Sequence, residues 1–214
     1  MADPQIEALR RAVETQAALR REAEHRARNI LQLISSLMLL QARRTPEEGA
    51  RQALHALHRR VSAVGLAQRL VDPAHDGDWI DVAAVVRELA AELSGAAGRP
   101  EVEVVLDLEA VTAPARVGVP VALILVEGLG NAFAHAFPDR RAGRVRVGLE
   151  RNEEGFEICV VDDGVGPAEE APEGLGLTLV GLLAQQLRAQ LVRTSAQPGL
   201  RLAVSVPIDA TAQP

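Results

Sequence analysis

The chain has 214 residues, 48% apolar and 24% charged, enough for one large or two small globular domains and incompatible with a structureless tail. Aromatic residues supply only 2% and tyrosine is absent, so the core must be built from Ala, Leu and Val, and stacking platforms for single-stranded nucleic acid are not expected. A net charge of -6 and a pI near 5.4 argue against a general binder of nucleic acid or of an anionic membrane.

From about Pro4 to Arg43 the pattern is helical. Ala23, Ala27, Ile30, Ile34, Leu37 and Gln41 recur alternately four and three apart, a coiled-coil-like seam on one long helix. Thr45 is placed to N-cap a second helix with Pro46 at its first position, running to about Leu70. Its apolar positions Ala50, Leu54, Leu57, Val61, Val64 and Leu66 again follow the three-and-four spacing, which predicts an antiparallel hairpin. Two helices cannot bury both seams alone, so a homodimer forming a four-helix bundle is the natural solution.

The segment Val71 to Trp79, rich in Pro, Asp and Gly, reads as a linker. Charge shifts there: residues 1 to 80 hold 12 Arg against 10 Asp plus Glu, a balance of +2, and residues 81 to 214 hold 11 against 19, a balance of -8. Asp81 is placed to cap a helix to about Leu93, ended by GAAGRP, and the alternating EVEVVLDLE reads as a strand. A helix follows from about Val119 to Ala136. Strands RVRVGLE and FEICVVDD form a hairpin around Asn152 to Gly155, a Gly- and Pro-rich loop follows, and a helix from about Gly176 to Ala189 precedes the strands LVRTS and LRLAVSV. The expected class is α+β: a helical hairpin, then an α/β two-layer sandwich.

All 23 basic residues are arginine, which excludes Schiff-base lysine and P-loop chemistry. Cys159 is the single cysteine, so no internal disulfide forms; this fits a reducing compartment, and the residue reads as a small apolar strand position. The N-terminus lacks an apolar signal-like region, and no later stretch reads as the ~20 uninterrupted apolar residues of a membrane span. A cytoplasmic protein with no membrane and no nucleic-acid partner is expected.

Four stretches carry candidate chemistry. In Glu24-His25-Arg26-Ala27-Arg28-Asn29, His25 lies about 200° round the helix from Ala23 and faces outward with Asn29 and Gln32. Its imidazole is available as a nucleophile, Asn29 one turn on can orient the ring, and Arg26 and Arg28 supply positive charge for a phosphoryl group. In EGLGNAFAHAFP, Glu127, Asn131 and His135 recur at i, i+4 and i+8 near one helix face. The Asn131 amide oxygen is a hard ligand suited to Mg²⁺ on nucleotide phosphates, and Glu127 can accept a proton or position water. In VVDDGVG, Asp162 ends an apolar strand and can accept a hydrogen bond from an exocyclic amino group, while Gly164 and Gly166 admit close backbone approach. In GLGLT, Gly174 and Gly176 open a helix whose N-terminal N–H groups can face phosphate. Each stretch taken alone has an ordinary reading: a solvated histidine, a polar helix end, a strand turn and a loop. His55, His58 and His75 read as surface or linker positions, and Trp79 as an anchor at the junction.

In this order the stretches resemble the histidine kinases of two-component signalling, in the subfamily related to the HWE kinases. That subfamily carries His-Arg-x-Lys-Asn followed by a Leu-Gln-x-Ile-Ser-Ser-Leu-like run, here EHRARNILQLISSLMLLQ. The N box (EGLGNAFAHAFP), G1 box (DDGVG) and G2 box (GLGL) follow in family order, so the resemblance spans about residues 15 to 206. It implies a dimerisation and phosphotransfer hairpin over residues 1–72 and an ATP-binding domain of Bergerat type over 80–208. It makes His25 the residue phosphorylated from Mg-ATP, with Asn29 and Glu127 as its catalytic companions. Asn131 becomes the Mg²⁺ ligand, Asp162 the adenine reader, and His135, Gly164, Gly166, Gly174 and Gly176 the frame of the nucleotide. The implied partners are a response-regulator receiver domain, a second copy of the chain and an upstream sensory partner, since no sensing domain fits before the first helix.

Three positions depart from the family pattern. Ala134 stands where a lysine is usual, with Arg140 or Arg141 as substitutes. The lid, PAEEAPE, is short and acidic, and the Gly-Thr-x-Phe of the last strands is Pro198-Gly199-Leu200-Arg201-Leu202. These departures define the alternative reading, a phosphotransfer protein with a degenerate ATP domain; a serine kinase sharing that domain would have no use for the His25 helix.

Overall fold

A computed structural model describes residues 4–72, 79–166 and 174–207. The chain divides into two compact units, residues 1–65 and 66–214. In the first, α1 (Pro4–Arg44) and α2 (Glu48–Arg69) form the hairpin. Thr45 closes α1 rather than capping α2: its N–H donates to Ala42 O at 3.3 Å and its Oγ1 to Gln41 O at 2.8 Å. The first bond of α2 runs from Arg51 N to Glu47 O, and Glu48 binds Arg51 and Gln52 one turn on.

The face of α1 turned to its partner helix carries Leu31, Ser35, Met38 and Ala42, with Ala42 and Ala63 fully buried. This is not the expected seam. Ile30 and Leu37, at 56% and 54% exposure, lie on a second apolar stripe with Ile34, and this stripe stays open. Helix α1 is apolar on two adjacent faces, and spacing alone does not say which one a single partner helix covers. Between the helices, Ser35 Oγ lies 2.9 Å from His58 Nδ1 and 3.4 Å from Ser62 Oγ. His58 is therefore half-buried, not a surface residue.

The second unit holds two sheets. The segment read as a linker contributes two short strands, β1 (Val71–Asp72) and β2 (Trp79–Asp81), and β2 also pairs with β4 (Thr112–Pro114). Asp81 caps α3 (Val82–Ala97) through Ala84 N at 3.1 Å, and Gly98 at φ 61° ends it, four residues beyond the expected stop. The larger sheet has the order β3-β5-β6-β8-β7, from β3 (Val102–Leu108), β5 (Gly143–Asn152), β6 (Gly155–Asp162), β7 (Gln190–Ser195) and β8 (Leu200–Pro207). β3 and β5 are parallel and the remaining neighbours antiparallel. A parallel pair needs a crossover, and α4 (Ala115–Asn131) supplies it.

Along β6, Phe156, Ile158, Val160 and Asp162 are buried at every second position. Leu200, Leu202, Val204 and Val206 of β8 do the same under α3, α4 and α5 (Leu175–Gln186). Helix α4 and the turn after it, Ala115–Ala136, are long and apolar enough to cross a membrane by length and composition, but Glu127, Asn131 and His135 interrupt the run, and 61% of its apolar 18-residue window is buried in the domain core. Cys159 is half-buried in β6, where burial pushes its thiol pKa up, away from reactivity.

Candidate functional site

On α1, His25 is exposed, and Asn29 and Gln32 face solvent with it. The Asn29 amide nitrogen lies 3.3 Å from His25 Nδ1. The amide thus engages Nδ1 and not Nε2; with the amide turned over, its oxygen holds a proton on Nδ1 and Nε2 keeps its lone pair. Arg26 is paired with Glu22 at 2.5 Å, so part of the positive charge expected beside His25 is already matched.

In the second unit the deepest polar group is Asp162, 5% exposed at the end of β6. Its Oδ1 accepts Gly164 N at 3.0 Å and Leu200 N at 3.3 Å. Oδ2 takes no protein donor among the described residues. Burial raises the Asp162 pKa above the ordinary value against these two bonds, and the neighbouring Asp163 carboxylate adds to the rise.

Glycines wall this carboxyl because side chains do not fit. A Cβ on Gly164 would meet Ala136 O at 2.2 Å, and one on Gly199 would meet Asp162 O at 1.8 Å. Gly166 and Gly199 take φ of 77° and 100°, a region open to glycine. Gly199→Ala therefore combines strain with a backbone clash, and we expect a loss of about 3 kcal/mol, read as a fall in Tm of about 10 °C. A variant melting within 2–3 °C of the parent would show that the two chain segments part easily.

Glu127 and Asn131 are half-exposed on α4. Glu127 abuts the start of α5, where a Cβ on Gly176 would meet its Oε2 at 2.4 Å, a clash that a shift of the flexible Glu127 side chain would relieve. Gly174 is extended and N-caps α5, with its carbonyl accepting Leu177 N at 3.1 Å, and has open space around its α-carbon. His135 is exposed and does not continue the helix of Glu127 and Asn131. After Asn131 the chain widens into a π-helical turn, Ala132–Ala136, which changes the phase of His135. This turn joins the glycine loop, because Val165 N donates to Ala136 O at 2.9 Å.

Ala134 is exposed. Of its two expected substitutes, Arg140 is occupied with Glu101 at 3.6 Å and Gly98 O at 3.4 Å, whereas Arg141 reaches Asp163 O at 3.4 Å beside the glycine loop. The lid, 167–173, lies outside the described residues. Sequence reasoning missed Gly199 and Leu200, seen only as a turn and a departure, and Asp163, whose Oδ1 accepts Arg144 N at 2.7 Å and pins the loop to β5. A glycine following proline between two strands was the available signal for the first. Among the described residues no group of three or more His, Cys, Asp or Glu side chains is arranged to hold a metal; an oxygen donor such as Asn131 fits a metal that arrives on phosphate.

Residues 22–97 match the family model HisKA_2, described as histidine kinase. Over 218 residues the chain is 31% identical to sensor histidine kinase PdtaS of Mycobacterium tuberculosis, covering 92% of this chain and 41% of that protein. The chain spans about half the length of the curated relatives it matches. Among solved structures, the histidine kinase domain of the Erythrobacter litoralis EL346 blue-light activated histidine kinase superposes with a TM-score of 0.67 at 23% identity, covering 84% of this chain and 97% of that one. The ATP binding domain of PrrB from Mycobacterium tuberculosis gives 0.50 at 21% identity over 61% of this chain and 96% of that one. The shared architecture is α+β, a helical N-terminal hairpin followed by the two-layer sandwich of Bergerat type.

Proposed function

We propose that the chain is a histidine kinase that phosphorylates itself on His25 from Mg-ATP and passes the phosphoryl group to an aspartate of a response-regulator receiver domain. The observation that carries the nucleotide half of this reading is the Asp162 carboxyl: buried, with Oδ1 fixed by two backbone N–H groups, Oδ2 without a protein donor among the described residues, and glycines beside it. An acceptor of that kind suits the exocyclic amino group of adenine. The two functional regions correspond to residues 1–72 for dimerisation and phosphotransfer and 80–208 for ATP binding.

In the transfer, the Nε2 lone pair of His25 attacks the γ-phosphorus, an N–P bond forms, the bond to the β–γ bridging oxygen breaks, ADP leaves with that electron pair, and the Nδ1 proton is released to solvent. Asn29 holds the Nδ1 side of the ring. Asn131 presents a hard oxygen for Mg²⁺, which when bound offsets the phosphate charge against a domain of balance -8. Glu127 is assigned to receive a proton or orient water, His135 to the nucleotide rim, and Gly164, Gly166, Gly174 and Gly176 to the backbone frame. The open stripe of Ile30, Ile34 and Leu37 supports a homodimer through the hairpin. A cytoplasmic location is part of the same reading, with the apolar α4 serving as a core helix.

The test is incorporation of γ-labelled phosphate with Mg²⁺, with Asn131→Ala alongside. The parent is expected to acquire acid-labile, alkali-stable label, and the variant to lose about a hundredfold or more in rate, with weaker dependence on Mg²⁺. Parental rates in Asn131→Ala would remove that residue from the metal's coordination.

A further inference from the structure

Arg99, in the loop between α3 and β3, uses its whole guanidinium on one task. Nη1 donates to Phe133 O at 3.1 Å, Nη2 to Phe137 O at 2.6 Å and Nε to Glu101 Oε1 at 2.6 Å. The Arg99 and Glu101 side chains are 19% and 18% exposed, so the pair is largely shielded from water. The Glu101 backbone N–H and the Arg99 guanidinium hold the Glu101 carboxyl below its ordinary range, and its backbone carbonyl accepts Gly143 N at 3.2 Å at the start of β5. The clamp is thus anchored to the sheet on one side and to the turn after Asn131 on the other.

The clamped carbonyls matter because of where they lie. The last carbonyls of a helix have no partner within it, and a π-helical turn is a wide winding that persists where neighbours hold it. Phe133 O and Phe137 O are taken by Arg99, and Ala136 O between them by Val165 N of the glycine loop. Fixing the first two fixes the third. Rewinding of Ala132–Ala136 into an α-helix would turn His135 relative to Asn131 and pull Ala136 O away from Val165.

We propose that Arg99 is a positioning residue for the nucleotide site, holding the wide turn after Asn131 and, through Ala136 and Val165, the glycine loop beside Asp162. The assignment rests on the reading of that pocket as an ATP site. A lysine cannot reproduce it, since one ammonium lacks the fork that spans two carbonyls and a carboxylate.

The test compares the parent chain with Arg99→Ala and Arg99→Lys by amide hydrogen exchange and by calorimetric titration of Mg-ATP. Arg99→Ala is expected to speed exchange at Val165 and Phe137, leave the sheet amides of Val147 and Ile158 near parental rates, and weaken Mg-ATP affinity about ten- to a hundredfold. The phosphorylation rate at saturating ATP should fall by less than about threefold, because the groups that act on phosphate remain. Arg99→Lys should fall between the two, and it supplies the same readings if the alanine variant does not fold. Unchanged exchange at Val165 together with parental affinity would overturn the proposal, as would equal acceleration at Val147 and Ile158, which marks general loosening. A parent chain that binds no Mg-ATP would sink the ATP-site reading, and exchange at Val165 would still decide whether Arg99 positions the loop.

Discussion

His25→Ala is expected to carry no label from γ-labelled ATP, a drop to background, while its affinity for Mg-ATP stays within about twofold of the parent. The reasoning is local. His25 is an exposed imidazole, engaged by Asn29 on its Nδ1 side and proposed as the phosphate acceptor, and it belongs to a different compact unit from Asp162. Removing it deletes the proposed acceptor atom and leaves every residue around Asp162 unchanged in sequence. Filter-binding or gel counts of label and a calorimetric titration on the same preparation check both halves. Label persisting in the variant would place the acceptor elsewhere, with Thr15 and Ser35, each ten residues from His25, as the hydroxyls nearest along α1 to examine.

Asp162→Asn is expected to weaken ATP binding by about two to three orders of magnitude, without unfolding the domain. With the amide oxygen toward Gly164 N and Leu200 N, the amide nitrogen occupies the Oδ2 position and presents a donor where adenine also presents one. With the amide turned over, its nitrogen faces two backbone N–H donors. Either orientation loses a bond and opposes two donors. Stability should move the other way. Burial raises the pKa of Asp162, so its ionised form is disfavoured in the fold; the carboxyl is stabilising when protonated, and that contribution is lost as pH rises through the raised pKa. Asparagine carries no charge, so at neutral pH the variant should melt no lower than the parent, and the difference should shrink as pH falls into the ordinary carboxylate range. Melting curves across pH and one ATP titration test this. A variant that melts lower at neutral pH and keeps its ATP affinity would contradict both the burial argument and the adenine assignment. Such a site trades stability for binding, a common arrangement where a charge must sit in a dry pocket.

Much of the fold was legible because it rests on period. The long helix, the alternation of β5, β6 and β8 and the Asp81 cap follow from 3.6- and 2-residue patterns and from one side chain reaching its own helix end. Strands β1, β2 and β4, at two or three residues, are too short to carry a period, and the Pro-, Asp- and Gly-rich stretch that begins with β1 and ends at the start of β2 reads as a linker. Thr45 is chemically fit to cap either helix beside it, and the turn geometry decides for α1. The seam of α1 failed differently: two apolar stripes lie side by side, and the sequence does not rank them. In the candidate site, residues carried by local motifs, such as His25 with Asn29 or Asp162 with Gly164, are close in sequence and readable. Leu200 N reaches Asp162 from 38 residues away and Arg99 reaches Phe137 O from 38 in the other direction. Those partners are set by sheet pairing and by a widened turn, for which one sequence holds no local signal.

The central claim, that His25 takes phosphate from ATP held at the Asp162 pocket, is tested most directly by locating the phosphate. The protein is incubated with Mg-ATP, quenched in alkali, cleaved and read by mass spectrometry under conditions that preserve phosphorus–nitrogen bonds. One phosphate on the peptide containing His25, stable in alkali, lost in acid and absent from Asp162→Asn, is the predicted result. An unphosphorylated His25 after incubation with Mg-ATP, in a preparation that accepts phosphate on His25 from a phosphorylated receiver domain, would contradict the claim and identify a phosphotransfer protein instead.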